Sequence, residues 1–405
     1  MKRLLILIVV LTMPFVCLAQ TPKSSTQKAK TSTQTKAKPK AKTSTKTSTK
    51  KAKPLIPKAT QDTTNLNSNK TSNNCITAQE KLVQAHLQIE NKQHWVAEEL
   101  LKEALVLCPS EEMKYKYELA WNYYLMKEFQ KAINILEPIT KQSDCPSDVY
   151  QLLGNSYDEA ANEPMAIVTY DKGFERYPNA GCLFLERGNI AYKRSNFIGA
   201  LFYYEKGIEQ DPSFASNYYR ASQIFLSSSE EVWGMMYGEI FMNLERGSTR
   251  AKEISSKLYN TYHSEITFNV NQISVNFNDP TIVYSDSKTR PNLFPENYEN
   301  ALLKACYGKK NITLSSLIDI RKRFIQIFYK ESPTFRNVLF DYHKQLIDLG
   351  FFEPYNYWLF GYGNTNEAGI WISQNKALFD RFMAWFNENP FPINKDNVFS
   401  RYKME

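Results

Sequence analysis

The chain has 405 residues, of which 50 are Lys or Arg, 42 are Asp or Glu and 14 are Gly. The length allows two or three domains, and 25 Tyr with 24 Phe supply ample apolar surface for a core. Fourteen glycines are few for a fold that depends on glycine-rich phosphate loops, so composition argues against a nucleotide-binding enzyme.

Residues 1–19 have the pattern of a cleavable export signal. Lys2 and Arg3 precede the apolar run at residues 4–11, and Cys17-Leu18-Ala19 places small residues where signal peptidase cleaves. The apolar stretch is shorter than the ~20 residues that a membrane-spanning helix needs. We therefore expect an exported periplasmic or extracellular protein without a transmembrane segment in the mature chain. Lipidation at Cys17 is disfavoured because Pro14, Phe15 and Val16 do not resemble a lipoprotein signal.

Residues 20–74 form a basic segment that we predict to be a disordered linker. It holds 13 Lys, no Arg and a single acidic residue, Asp62, among Thr, Ser, Ala and Asn, and so carries a charge of +12. Taking this segment and the +2 of Lys2 and Arg3 from the total of +8 leaves −6 for residues 75–405. Such a composition buries too little apolar surface to offset its ordering entropy. The segment is either a solvated spacer or an attachment to an anionic envelope surface, while nucleic acid is disfavoured because export removes that partner.

The central segment repeats with a period of 34 residues, interrupted by one step of 35. One column of the repeat holds small residues: Ala85, Ala120, Gly154, Gly188 and Ser222. A second column is also small: Ala97, Ala132, Ala166, Ala200 and Gly234. A third column is mostly larger: Leu101, Leu136, Tyr170, Tyr204 and Gly238. Two antiparallel helices cross closely only where one of them lacks side-chain bulk, so the columns predict five stacked helical hairpins.

This pattern resembles the tetratricopeptide repeat. The resemblance is clearest in the units that contain Leu153-Gly154-x-x-Tyr157 with Ala166, Tyr170 and Pro178, and Gly188 with Phe197, Ala200, Tyr204 and Pro212. It implies a superhelix over residues 75–247 that holds a protein or an extended peptide on its concave face. The first and last units depart from the family pattern, as terminal repeats that cap a stack usually do.

The residue that follows each small residue of the first column suggests a binding surface. In the last three units it is an amide, Asn155, Asn189 and Gln223, and amides both donate to and accept from a peptide backbone. In a superhelix these amides would form a ladder along the inner surface. Three aromatic residues would add a patch at one end of it: Tyr117, Trp121 and Tyr124. The alternative is that the amides are solvated surface and the aromatics pack between repeats.

The cysteines that remain after the signal predict two disulfides in an oxidising compartment. Cys75 precedes the first helix of unit one and Cys108 ends its second helix, so these two are predicted to pair. Cys145 and Cys182 are predicted to pair in the same way around unit three. Cys108–Cys145 is the rival pairing, and four half-buried thiols are the alternative to any bond.

Residues 248–405 are predicted to form a separate, small α+β domain. Alternating apolar residues predict short strands at 266–270 and 273–277, with a possible third at 281–284, followed by amphipathic helices. Asn356-Tyr357-Trp358 and the later Trp385-Phe386 resemble motifs in uncharacterised C-terminal regions of secreted bacterial repeat proteins. A dense group of aromatics is either core or a glycan-stacking surface, with core favoured: Tyr355, Tyr357, Trp358, Phe360 and Trp371.

The catalytic case is weak. The four histidines are scattered, no metal-ligand spacing occurs, and Cys306 with His343 is the one conceivable nucleophile and base. We therefore expect a mainly α protein that acts as a non-catalytic protein-binding scaffold, with no cofactor and no metal. The alternatives are a glycan- or peptidoglycan-binding structural protein and an enzyme with its site in residues 263–405.

Overall fold

A computed structural model of the protein describes residues 63–270, 272–278 and 293–404, with side chains from residue 73 onward. The expectations for residues 1–62 and for a strand at 281–284 fall outside these ranges. Within them, no helix combines the length and the apolar character needed to cross a bilayer. The described chain is mainly helical, with one small two-stranded sheet.

The first ten helices follow one another with short turns. They are α1 (Thr63–Glu90), α2 (His94–Leu107), α3 (Glu112–Leu125), α4 (Phe129–Ile139), α5 (Ser147–Glu159), α6 (Glu163–Arg176), α7 (Gly181–Lys193), α8 (Phe197–Gln210), α9 (Ala215–Phe225) and α10 (Glu231–Leu244). Because α1 begins at Thr63, its first turns lie inside the segment predicted to be a disordered linker up to residue 74.

The remaining elements are one helix, a β-hairpin and a second group of helices. They are α11 (Thr249–Glu265), β1 (Ile266–Phe268), β2 (Ile273–Val275), α12 (Phe294–Ala305), α13 (Leu314–Glu331), α14 (Val338–Asp348), α15 (Phe352–Phe360), α16 (Thr365–Gln374), α17 (Lys376–Glu388) and α18 (Arg401–Met404). β1 and β2 pair antiparallel with Ile266 opposite Val275. The two predicted strands are thus present, each shortened to three residues, and the longer described elements of this region are helices.

The chain forms two compact units, one ending at Asn122 and the other beginning at Tyr123, inside α3. In the first unit α1 packs along α2. In the second, α5 packs on α6, α7 on α8 and α9 on α10, while α5 also contacts α7 and α7 contacts α9. The first helices of these three hairpins therefore lie next to one another.

The three predicted columns lie inside the hairpins. Their alanines and leucines are buried, and a Cβ at Gly154 would overlap the Tyr170 ring while one at Gly188 would overlap the Tyr204 ring. The tyrosine of the second helix can therefore pack across the first helix only because the first helix has a small residue at that point.

The turns inside the hairpins share one backbone feature. Lys92, Lys127, Ala161 and Ser195 each have a φ between 59° and 62°, and they are spaced like the repeat. At each turn the next backbone N–H donates to a carbonyl five residues earlier, as when the amide of Asn162 donates to the Tyr157 oxygen at 2.8 Å. This is the Schellman closure of a helix, here made without glycine.

One apolar core extends through the second unit from Leu185 to Phe399. It includes Trp233 of α10, Phe294 of α12 and Phe340 of α14, so helices on both sides of residue 247 share it. The predicted boundary between a repeat domain at 75–247 and a separate domain at 248–405 therefore does not coincide with a break in packing.

Candidate functional site

The predicted amides lie on the first helices of their hairpins, where Asn155 and Asn189 accept hydrogen bonds from tyrosines. The hydroxyl of Tyr170 donates to Oδ1 of Asn155, and that of Tyr204 donates to Oδ1 of Asn189 at 2.9 Å. Asn155 is buried, whereas Asn189 is half-buried. In both pairs the tyrosine lies 15 residues after the amide, because it reaches the amide from the second helix of the same hairpin.

A buried carboxylate joins these amides across two hairpins. Nε2 of Gln151 on α5 and Nδ2 of Asn189 on α7 each donate to Glu186 of α7 at 2.9 Å. Burial raises the pKa of Glu186, while the side-chain amides and the positive charge of Arg220 oppose that rise. The carboxylate is thus held by neutral donors in a poorly solvated place.

A similar arrangement joins α9 to α11. Nε2 of Gln223 donates to Glu253 at 3.1 Å and to the Tyr219 hydroxyl at 2.9 Å, and that hydroxyl donates to Glu253 at 2.8 Å. Burial opposes ionisation of Glu253, but hydrogen bonds from Tyr219 and Lys257 lower the pKa of its carboxyl below the ordinary value. Glu253 is therefore ionised at neutral pH.

Arg220 lies between these two groups. Its guanidinium stands 5.9 Å from the Tyr219 ring centre, and Nη1 makes a long contact of 3.4 Å with Oε1 of Gln223. We call Glu186, Asn189, Arg220, Gln223 and Glu253 the polar track. It follows the first helices α7 and α9 and continues onto α11, and all of its members except Glu186 are half-buried.

The sequence pattern predicted only two members of the polar track. Glu186, Arg220 and Glu253 were missed, although Glu186 and Arg220 stand one repeat apart and each precedes its amide by three residues, which is one helical turn. Gln151, which donates to Glu186, lies 35 residues before it and therefore about one repeat earlier. A periodic polar column on the same face as the amides was the available signal.

The predicted aromatic patch is only partly accessible. Tyr117 and Trp121 on α3 are half-buried. Tyr124 is 4% exposed and packs edge-on against Phe129 with ring centres 5.6 Å apart, and burial raises its pKa. Tyr124 therefore belongs to the packing of its unit, as the alternative to an aromatic binding patch expected.

One of the two predicted disulfides is present. Cys75 and Cys108 are bonded, which also excludes the rival pair Cys108–Cys145. Cys145 and Cys182 are both buried and neither forms a disulfide, so that prediction is wrong. Cys108 directly follows α2, the second helix of the hairpin that contains Cys75. Cys145 precedes the hairpin of α5 and α6, whereas Cys182 lies in the first turn of α7, which belongs to the next hairpin.

The C-terminal aromatics pack in the core. Tyr355 and Phe360 are fully buried, Trp358 packs edge-on against Phe386, and Tyr357 stacks on Trp371 with ring centres 4.1 Å apart. This arrangement confirms the favoured alternative of core packing. An open platform for sugar rings is not formed by these residues.

His343 belongs to a buried network and not to a pair with Cys306. Nη2 of Arg321 lies 2.6 Å from both oxygens of Glu239, and Nε2 of His343 lies 2.6 Å from Oε1. Burial would raise the pKa of Glu239, but the charge of Arg321 and the contact with His343 lower it to about 2. Burial lowers the pKa of His343, so its neutral ring donates Nε2–H to the carboxylate. The Tyr355 hydroxyl donates to the same oxygen at 2.9 Å.

The cavity beside this network has a volume of about 10 Å³, which is room for one water molecule. Cys306 directly follows α12 and is buried, and burial raises the pKa of its thiol to about 12. Among the described residues, no cluster of His, Cys, Asp and Glu is arranged to hold a metal ion. No protein-family model matches the sequence, and no curated protein matches it.

Proposed function

We propose that the protein is a non-catalytic scaffold of the tetratricopeptide-repeat type that binds another protein, or an extended peptide of it, along the polar track. The single observation that carries this proposal is the row of half-buried polar groups on the neighbouring helices α7, α9 and α11. A row of this kind matches the repeating donors and acceptors of an extended backbone.

The internal hydrogen bonds make the polar track a fixed surface. Asn189 is oriented by Glu186 and Tyr204, and Gln223 is oriented by Tyr219 and Glu253. Side chains that are already ordered lose little entropy when a ligand arrives, which favours binding. The amides keep further hydrogen-bonding capacity, since each carboxamide has two donors and two lone pairs on its oxygen.

Arg220 supplies the charge that gives the polar track a preferred ligand. Its hydrogen bond to Gln223 is long and therefore weak. Arg220 can give up this bond and bind a carboxylate of the ligand at little cost in free energy. An arginine binds a carboxylate through two parallel N–H groups. We therefore place an acidic side chain or a terminal carboxylate of the bound peptide at Arg220.

Site-specific crosslinking tests this proposal. A photoreactive amino acid at Gln223 of the full-length protein, expressed in its native envelope, is expected to yield a discrete adduct that mass spectrometry can identify. The matched control carries the same group at Val106, which is 80% exposed on α2 and lies outside the polar track. Arg220→Ala is expected to abolish the Gln223 adduct, while circular dichroism shows that the helices are retained. The same adducts from both positions, or an adduct indifferent to Arg220→Ala, would contradict the proposal.

We also propose that the protein acts outside the cytoplasm, with residues 20–62 as a spacer or as a contact to an anionic envelope surface. The support is the charge of the segment and the signal pattern before it. The mass of the mature protein tests the cleavage before Gln20. Deletion of residues 20–62 should release the protein from isolated envelopes in low salt if the segment is a contact, and should change nothing if it is a spacer.

A further inference from the structure

Helix α6, the last turn of α7 and helix α8 carry a group of exposed apolar side chains that has no role in the polar track. We call this group the outer patch, and its members are Val168, Tyr192, Phe197, Ile198 and Phe202. Ile198 is 86% exposed, and Phe202, one helical turn further along α8, is 46% exposed. Single apolar residues on a surface are ordinary, but a set on neighbouring elements indicates an interaction surface.

The repeat register shows what this face does elsewhere in the same unit. Ile198 and Phe202 correspond to Val232 and Met236 of α10, one period of 34 residues later, and both of these are buried. Trp233 beside them stacks on Phe294 of α12 with ring centres 5.3 Å apart. On α10, therefore, the corresponding face is a packing surface for other helices of the chain.

On α8 the C-terminal half is covered by the end of the chain. There Arg401 pairs with Glu205 at 2.9 Å, and the Ser400 hydroxyl donates to Glu209 at 3.1 Å. Ile198 and Phe202 lie toward the N-terminus of α8, before these contacts. The outer patch is thus the uncovered continuation of an interface that already exists within the chain.

We propose that the outer patch is covered by the outer patch of a second copy of this chain in a two-fold symmetric dimer. Ile198 and Phe202 are spaced i and i+4, so they form a ridge that packs against the same ridge of an antiparallel α8. Val168 corresponds to Phe202 in the preceding hairpin and widens the contact onto α6.

Three ion pairs beside the outer patch fit contact with an identical surface. Arg187 pairs with Asp171 at 3.1 Å, Lys193 pairs with Asp158, and Arg194 pairs with Glu163. A two-fold axis brings each surface against its own copy, so a rim of one sign would repel itself. Here each of these cations already has an anion in the same chain, and the three pairs add no excess of either sign.

Sedimentation velocity of the full chain over a concentration series tests the dimer. Wild type is expected to associate reversibly, and Ile198→Lys with Phe202→Lys should weaken association by about a hundredfold, because each change occurs on both sides of the interface. The control is Val106→Lys, at a position that is 80% exposed and lies outside the outer patch, and it should leave association unchanged. Circular dichroism of each variant confirms that the helices are retained.

A crosslink fixes the geometry without relying on destabilisation. Phe202→Cys is expected to form an intermolecular disulfide under mild oxidation, and Val106→Cys is not. A wild type that stays monomeric at about 0.3 mM would overturn the proposal, since association weaker than that is worth less than about 5 kcal/mol and does not hold a stable dimer. A dimer that survives the double lysine variant would overturn it as well. Neither result bears on crosslinking at Gln223, so this proposal and the scaffold proposal fail separately.

Discussion

Replacement of Gly188 by alanine adds one methyl group at the point where the Tyr204 ring crosses α7. The added Cβ would overlap atoms Cε1 and Cδ1 of that ring. Tyr204 is fully buried between its neighbours and its hydroxyl donates to Asn189, so the ring has no free direction in which to move. The substitution therefore forces the two helices of the hairpin apart or breaks the hydrogen bond.

The net effect follows from three opposed contributions. Overpacking of a filled core costs about 1–3 kcal/mol. Loss of the bond between Tyr204 and Asn189 adds about 0.5–1.5 kcal/mol. Alanine is a better helix former than glycine by about 0.5–1 kcal/mol, which offsets part of the loss. We expect Gly188→Ala to lower the free energy of unfolding by about 0.5–4 kcal/mol.

Urea denaturation followed by circular dichroism measures this change. Gly369→Ala is the matched control, because Gly369 also lies inside a helix but its Cβ would meet nothing within 4 Å. That variant should be more stable than wild type by about 0.5–1 kcal/mol. Tyr204→Leu in the Gly188→Ala background should recover part of the loss, which a double-mutant cycle reports as coupling. Equal or greater stability of Gly188→Ala would refute the steric explanation of the small-residue column.

Three further outcomes are expected. Ala161→Gly should stabilise the protein by up to about 1 kcal/mol, because it removes the Cβ strain of a positive φ, and Ala161→Val should destabilise it in the same denaturation assay. Removal of the Cys75–Cys108 bond, whose ends are 33 residues apart in sequence, should cost about 3–4 kcal/mol, and hydrogen exchange should show the loss in α1 and α2, while an unchanged exchange pattern would count against it. Burial raises the pKa of Glu231 and of Glu299 to about 7 from 4.5, so the folded state binds their protons more tightly than the unfolded state. Their contribution to stability is present below about pH 4.5 and is lost as the pH rises through 7. The free energy of unfolding of the double variant, Glu231→Gln with Glu299→Gln, should therefore exceed that of wild type between about pH 5 and pH 8.

The small-residue columns could be predicted because the contact that selects them recurs at a fixed spacing. A helix crossing excludes side chains at one point of each hairpin, and the exclusion leaves Gly154 and Gly188 in register. The hairpin turns could not be recognised by composition, since Lys92, Ala161 and Ser195 are not the residues that usually adopt a positive φ. Only their spacing, which equals that of the repeat, marked them.

The role of the amides depended on a second helix that the ladder hypothesis left out. Asn155 and Asn189 were expected either to face a ligand or to be solvated, and neither alternative included the hydrogen bonds that they accept from the tyrosines 15 residues later. Periodicity assigns a residue to a face of its own helix, while hydrogen-bond partners depend on how the next helix crosses. The constant offset between amide and tyrosine was the feature that linked the two.

The boundary predicted at residue 247 stays a prediction, and packing is continuous across it because α10 is covered on all sides. Every residue from Val232 to Asn243 is buried, and a helix that is apolar around its circumference lies between two layers. The first layer is α9, and the second includes α12 of the C-terminal region. The sequence of α10 contained this information, since Trp233 and Met235 fall on different faces of the helix.

The same packing makes the segment 123–247 dependent on the residues that follow it. Truncation after residue 247 would expose Trp233 and leave Glu239 without Arg321 and His343, and an uncompensated buried charge costs about 3–5 kcal/mol. We expect the truncated protein to bind hydrophobic dyes and to lose cooperative unfolding, whereas full-length protein with Glu239→Gln should lose stability but remain cooperative. A truncated protein that unfolds in one sharp transition would show that the hairpins form a core of their own. In that case the shared packing across residue 247 would be a docking of two domains, and the C-terminal helices would not be part of the fold that positions the polar track.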